Sequence, residues 1–143
     1  ALAEKNAHRL LASTDECSEI RFIRGDLREG LPSPDASGTY DLIVSNPPYV
    51  PTDIARGLLE DGRGEPILAL DGGRDGLDLV RALIDSSRFA LRVGGTILIE
   101  TGEYNARDAA DYLSLRGFVD IVIHRDLAGL ERVIEGKRHE QDA

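Results

Sequence analysis

Residues 46–49 read Asn-Pro-Pro-Tyr, an amide and an aromatic ring set on either side of two prolines. The amide can both donate and accept hydrogen bonds, and the ring offers a flat apolar face to a planar group. Each proline fixes φ and removes a backbone donor, so the turn is rigid. Leu42, Ile43 and Val44 just before it form a short apolar run that suits a strand buried on both faces. The prolines must end that strand's ladder. A rigid turn at the carboxyl end of a buried parallel strand is where open α/β sheets bind ligands. The plainer alternative is a strand that ends in a proline turn with no ligand.

The surrounding elements follow from periodicity and punctuation. Leu2, Ala3, Asn6, Ala7, Leu10 and Leu11 stand at helical spacing and predict an amphipathic helix over residues 1–12. Ile20, Phe22 and Arg24 alternate with Arg21 and Ile23, which predicts a strand over 20–24 ended by Gly25-Asp26. Residues 28–39 read as loop, Tyr40–Ser45 as the second strand, and 50–74 as a long connection with a helical turn near 53–60. Asp75 reads as the N-cap of a helix whose stripe is Leu77, Val80, Leu83, Ile84 and Leu91, with Asp78 at its positive end and Gly94-Gly95 closing it. A third strand covers 96–101. Asn105 or a near neighbour caps a further helix through Ala106, Ala109, Ala110 and Leu113 that ends at Gly117. Closing strands span 118–124 and 131–135, and 137–143 form a polar tail. Strand–helix alternation followed by two consecutive strands implies an α/β sheet with an antiparallel element at its far edge.

Composition narrows the class. The 143 residues are one domain by length, with 41% hydrophobic and 30% charged residues. No apolar run approaches the ~18 residues of a membrane-spanning helix, and no signal-peptide pattern appears. Cys17 stands alone, which excludes an intrachain disulfide and makes a reduced, cytoplasmic setting the expectation. His8, His124 and His139 are far apart, without metal-ligand spacing, and no metal is expected. Seventeen basic residues against 26 acidic ones leave a net charge of −9, which shifts weight from nucleic acid towards a protein or small-molecule partner.

The Asn-Pro-Pro-Tyr turn resembles the motif of S-adenosylmethionine-dependent methyltransferases that act on planar exocyclic or amide nitrogens. Such a nitrogen is a poor nucleophile because its lone pair is delocalised. The side-chain oxygen of Asn46 and the carbonyl of Pro47 would each accept one N–H of the target –NH2. The lone pair then points at the methyl group, and the gain is orientation plus stabilisation of developing positive charge. Tyr49 would pack against the planar target. No strong base is needed, since the methylated nitrogen becomes acidic and loses its proton afterwards.

Further segments sharpen the resemblance. Glu65-Pro66, Leu68-Ala69-Leu70-Asp71-Gly72-Gly73 and Asp75-Gly76-Leu77-Asp78 look like the stretch that follows the motif in the HemK/PrmC family, which methylates the N5 amide of a glutamine in peptide chain release factors. Asp126-Leu127-Ala128-Gly129 and Arg132-Val133 resemble that family's carboxyl-terminal pattern. The resemblance covers nearly all of 1–138, leaving 139–143 as the tail. It implies a Rossmann-like class I fold, S-adenosyl-L-methionine as cofactor and a release factor as protein partner. Asn46, Pro47, Pro48 and Tyr49 would hold the glutamine amide, with Asn46 also against the cofactor's methionine part. Asp26 matches the acid that accepts from the adenine amino group, with a plain turn as its other reading, and Leu27 would line the adenine pocket where many members carry a large aromatic. Both sites are expected to face one cleft of a three-layer domain. Asp71-Gly72-Gly73 reads as a loop shaping the substrate side, since no Gly-Lys-Ser/Thr follows. Glu100 ends a strand near the cleft, in either a structural or a functional role. Glu103-Tyr104-Asn105-Ala106 departs from the family, which often has Gln-Gly at the last two positions, and reads as a helix-cap variation.

The family's glycine-rich loop after its first strand and the acid ending its second strand have no counterpart in the sequence. The expectation is therefore a truncated domain without its first two strands, inactive as residues 1–143 alone. In the family's sheet order, 3-2-1-4-5-7-6, this leaves open edges on the strands at 20–24 and 40–45. Two other readings stay open. One is a DNA adenine-N6 or RNA guanine-N2 methyltransferase, with a flipped base stacked on Tyr49 and a basic stripe nearby. The other is a non-catalytic methyltransferase-like binding module. The sequence does not address oligomeric state.

Overall fold

The computed structural model describes residues 2–11, 20–32, 40–60 and 65–140, with the side chains of His8 and Leu11 left aside. Cys17, most of the loop at 33–39 and the end of the tail lie outside the described residues. Four strands form one sheet in the order β1-β2-β4-β3: β1 (Tyr40–Ser45), β2 (Leu91–Glu100), β3 (Phe118–Arg125) and β4 (Glu131–Arg138). β1 and β2 run parallel, and β4 is antiparallel to both its neighbours. This is the parallel-then-antiparallel order that the strand–helix alternation implied.

The described helices are α1 (Leu2–Leu11), α2 (Thr52–Glu60), α3 (Ile67–Leu70), α4 (Asp78–Ala90) and α5 (Ala106–Leu115), and α4 and α5 bury one face of that sheet. The expected stripe of Leu77, Val80, Leu83, Ile84 and Leu91 is buried in full. It meets Ile43, Ile97, Ile99 and Ile134, which sit side by side in the register across β1, β2 and β4. From α5, Ala106, Ala109, Ala110 and Leu113 complete this core, and small residues let the helix approach the sheet closely. A cation–π sandwich joins the two helices: the Tyr112 ring lies between the guanidinium groups of Arg81, at 5.9 Å, and Arg116, at 5.8 Å. Its hydroxyl donates to Asp85.

Several expectations fail for identifiable reasons. The run Leu42-Ile43-Val44 is not buried on both faces: Ile43 is 8% exposed, but Leu42 is 51% and Val44 69% exposed. Among the described residues β1 is an edge strand, and the face opposite α4 and α5 is open, so two layers stand where three were expected. Residues 20–24 form no strand, because a strand needs a partner and none of the described residues pairs with them. Gly94-Gly95 does not close α4. The helix ends at Ala90, and the glycines lie inside β2, where the register against β1 shifts between Tyr40 and Leu42. Asp75 does not cap α4 either. It accepts from the Leu77 amide at 3.1 Å and forks with Arg81 at 3.1 and 2.6 Å, so the helix starts three residues later. The polar tail begins late, since Lys137 and Arg138 still belong to β4. No helix among the described residues is long and apolar enough to cross a membrane.

Candidate active site

The 46–49 turn leaves the carboxyl end of β1 and enters α2 (Thr52–Glu60) through Val50. Its exit is fixed by backbone bonds to the segment after α3 (Ile67–Leu70). Val50 donates to the Leu70 carbonyl at 3.0 Å, Gly72 donates to the Val50 carbonyl at 2.8 Å, and Thr52 donates to the Gly73 carbonyl at 2.9 Å. Asp71 ties the same corner, accepting from the Thr52 hydroxyl at 2.7 Å and the Gly73 amide at 2.9 Å. Those two donors, the hydroxyl first, hold its carboxyl below the usual carboxylate range. The Asp71-Gly72-Gly73 segment thus braces the turn, as a shaping loop should.

Glycines are required where this brace touches the turn. A Cβ on Gly72 would come within 2.7 Å of the Pro48 carbonyl oxygen and 2.8 Å of the Tyr49 Cα. At Gly76, where φ is +79°, a Cβ would lie 2.2 Å from the Tyr49 carbonyl oxygen. No side chain fits between these backbones, and the left-handed conformation at Gly76 disfavours one independently.

Tyr49 is held at both ends. Its carbonyl accepts from the Asn105 amide at 3.1 Å and from the Tyr104 hydroxyl at 3.3 Å. Its own hydroxyl donates to Glu100 Oε1 at 3.1 Å. Burial, then the Glu100 hydrogen bond and charge, raise the Tyr49 phenol above its ordinary value, against the opposing field of Arg132. Asn105 occupies the N-cap position of α5 but makes no side-chain capping hydrogen bond, and its Nδ2 donates to the Tyr49 carbonyl. It is therefore more than a helix-cap variation. Its Oδ1 is buried without a partner, so holding the Tyr49 carbonyl carries a desolvation cost. Nothing in the spacing linked Asn105 or Tyr104 to the turn more than 50 residues earlier. The only hint was that 103–106 departed from the expected pattern.

Two cavities border the turn. The larger, about 600 Å³, is lined by Asp26, Leu27, Arg28, Pro48, Leu68 and Leu79, with neighbours of Asp26 completing it. Asp26 caps a short 3-10 turn (Leu27–Glu29), where its Oδ1 accepts from the Arg28 amide at 3.0 Å. The smaller, about 200 Å³, is lined by Val44, Ser45, Asn46, Leu98, Glu100 and Val133. The structure thus brings Asp26 and Leu27 to Pro48, and Asn46 to Glu100, in two cavities that share the turn instead of the one cleft expected. The Asn46 side chain is exposed and makes no hydrogen bond among the described residues. Pro47 is buried and Tyr49 half-buried.

Tyr49 sits between opposing charges: Glu100 accepts its hydroxyl at 3.1 Å, and the nearby cation, Arg132, is held by Asp126 at 3.2 Å and by Glu103 at 3.7 Å. No cluster of metal-ligating side chains occurs among the described residues. An amide free to bond, a fixed ring and an unbridged carboxylate suit the gripping of a neutral, planar, hydrogen-bond-donating group.

No protein-family model matches the chain. It is 38% identical over 117 residues to the release factor glutamine methyltransferase of Clostridium acetobutylicum, a match covering 80% of this chain and 40% of that protein. The release factor glutamine methyltransferase of Geobacter sulfurreducens is 36% identical over 138 residues, covering 96% of this chain and 45% of its own length. The chain thus spans less than half the length of these relatives. Among solved structures, a possible exported protein from Bordetella parapertussis superposes with a TM-score of 0.60 at 18% identity, over 97% of this chain and 51% of that one. That likeness is one of fold.

Proposed function

We propose that this chain belongs to the HemK/PrmC family over the stretch it shares with those relatives, and that at full native length the protein methylates a glutamine side-chain amide in a peptide chain release factor. The fold is the Rossmann-like class I methyltransferase fold. The observation that carries the substrate assignment is the turn itself: Asn46 stands free at a strand's carboxyl end while Tyr49 beside it is pinned at carbonyl and hydroxyl.

The turn's residues take separate roles. Asn46 Oδ1 and the Pro47 carbonyl accept the two N–H bonds of the target amide and fix the direction of the nitrogen's lone pair. Pro48 keeps the backbone rigid. Tyr49 packs on the amide plane, its ring angle set by Glu100. Bound S-adenosyl-L-methionine supplies an electrophilic methyl group. Its adenine suits the cavity of about 600 Å³, where Leu27, Leu68 and Leu79 are apolar walls and Asp26 is an acceptor for the exocyclic amine. Asn46, in the adjoining cavity across the turn, would also contact the methionine part. After transfer the nitrogen's proton passes to solvent, so no side chain has to act as a strong base.

The test is transfer of labelled methyl from S-adenosyl-L-methionine into purified release factor by the full-length protein. Label is expected in the native release factor and absent from a version with the loop glutamine changed to alanine, and from duplex DNA and RNA. Equal labelling of the alanine version, or label in nucleic acid, overturns the proposal.

A further inference from the structure

We infer that Glu100 is a specificity-determining residue that selects a carboxamide over a carboxylate at this site. The inference rests on the glutamine reading above and adds the group that enforces it. Glutamine and glutamate side chains are nearly isosteric, so shape alone separates them poorly, and discrimination has to come from donors, acceptors and charge. Asn46 cannot supply it alone. A primary amide can rotate to present either its oxygen to an N–H donor or its –NH2 to an oxygen acceptor. The Pro47 carbonyl is an acceptor but carries no net charge.

Glu100 breaks that symmetry. It ends β2, half-buried, and lines the same cavity of about 200 Å³ as Asn46. Its Oε1 takes the Tyr49 hydroxyl at 3.1 Å, and among the described residues no basic side chain forms an ion pair with it. Arg132, the cation whose field reaches Tyr49, is flanked by Asp126 at 3.2 Å and Glu103 at 3.7 Å. Val44, Leu98 and Val133 form the rest of the wall with Ser45. As a carboxylate, Glu100 only accepts hydrogen bonds. It therefore favours an –NH2 at the position Asn46 grips and repels an –O⁻ there.

The experiment compares the full-length protein with Glu100→Gln and Tyr49→Phe. For each, KM is measured on release factor and Ki on a release factor whose loop glutamine is replaced by glutamate. The wild-type protein should hold the glutamate version more weakly by on the order of tenfold or more. Glu100→Gln should close most of that gap, whereas Tyr49→Phe, which keeps the carboxylate, should retain it while turnover falls. Should Glu100→Gln fail to fold, the wild-type gap still decides, because charge repulsion must widen it as salt is lowered. A gap that survives in Glu100→Gln, closes in Tyr49→Phe, or ignores salt overturns this inference alone. Failure of the wild-type protein to methylate any glutamine overturns the proposed function, and this inference with it.

Discussion

Asn105 ties α5 to the active-site turn, and replacing it separates what the contact does from what it costs. Its Nδ2 bond to the Tyr49 carbonyl at 3.1 Å is a neutral hydrogen bond, of a kind that contributes about 1 kcal/mol net. Its Oδ1 is buried and unpaired, a state that costs about 1–3 kcal/mol. Asn105→Ala removes both, and the Tyr49 carbonyl keeps the Tyr104 hydroxyl at 3.3 Å. The net change in unfolding free energy should therefore lie between zero and a gain of about 2 kcal/mol. Asn105→Asp is isosteric but opposite in effect. It sets a buried carboxylate against the Tyr49 carbonyl, with no donor between them, and should cost at least about 3 kcal/mol near neutral pH. That penalty should shrink on acidification, because a protonated carboxyl can donate to the carbonyl in place of the amide. Urea unfolding of the three proteins at neutral and acid pH measures all of this. A loss above about 3 kcal/mol in Asn105→Ala, or an Asn105→Asp variant as stable as the alanine one, would refute the reasoning.

In the full-length protein, Asn46→Ala should lower turnover by on the order of 10²–10³ while cofactor affinity changes little, because it removes an orienting acceptor. Steady-state kinetics beside a cofactor binding isotherm separate the two. Asp71 has its carboxyl depressed by the Thr52 hydroxyl and the Gly73 amide, so it contributes stability above the ordinary carboxylate range that is lost as pH falls through its folded value. Asp71→Asn should flatten the acid limb of a plot of urea midpoint against pH. Tyr49 has its phenol raised by burial and Glu100, so its contribution is present below the ordinary phenol value and lost as pH rises through the raised one. Tyr49→Phe should flatten the alkaline limb of the same plot. Leu83, 1% exposed between α4 and the sheet, should cost about 2–5 kcal/mol when changed to alanine, measured by thermal or denaturant unfolding.

Local pattern made much of this fold legible. Tyr40–Ser45 matched as a strand because an apolar run is bounded by prolines, and α5 matched because Ala106, Ala109, Ala110 and Leu113 repeat at helical spacing. Pattern failed where the outcome depends on a partner. Ile20, Phe22 and Arg24 alternate with Arg21 and Ile23 like a strand but pair with nothing among the described residues, and Val44 looked buried although its face is open. Punctuation misled at Asp75 and at Gly94-Gly95, since an acid can bind an arginine as well as cap a helix, and paired glycines serve a bulged strand as well as a helix end. The motif at 46–49 could be read directly. Its supports could not, because Asn105, Tyr104 and Glu100 reach Tyr49 across 51 to 56 positions of sequence and only the folded chain brings them there.

The central claim is that the 46–49 turn presents the nitrogen of a glutamine amide for methylation. Mass spectrometry of release factor treated with the full-length protein and S-adenosyl-L-methionine locates the methyl group atom by atom. One methyl on the side-chain nitrogen of a single loop glutamine, formed on the order of 10²–10³ more slowly by Asn46→Ala, is the expected result. A methyl on any other residue, or on glutamine with Asn46→Ala fully active, would contradict it.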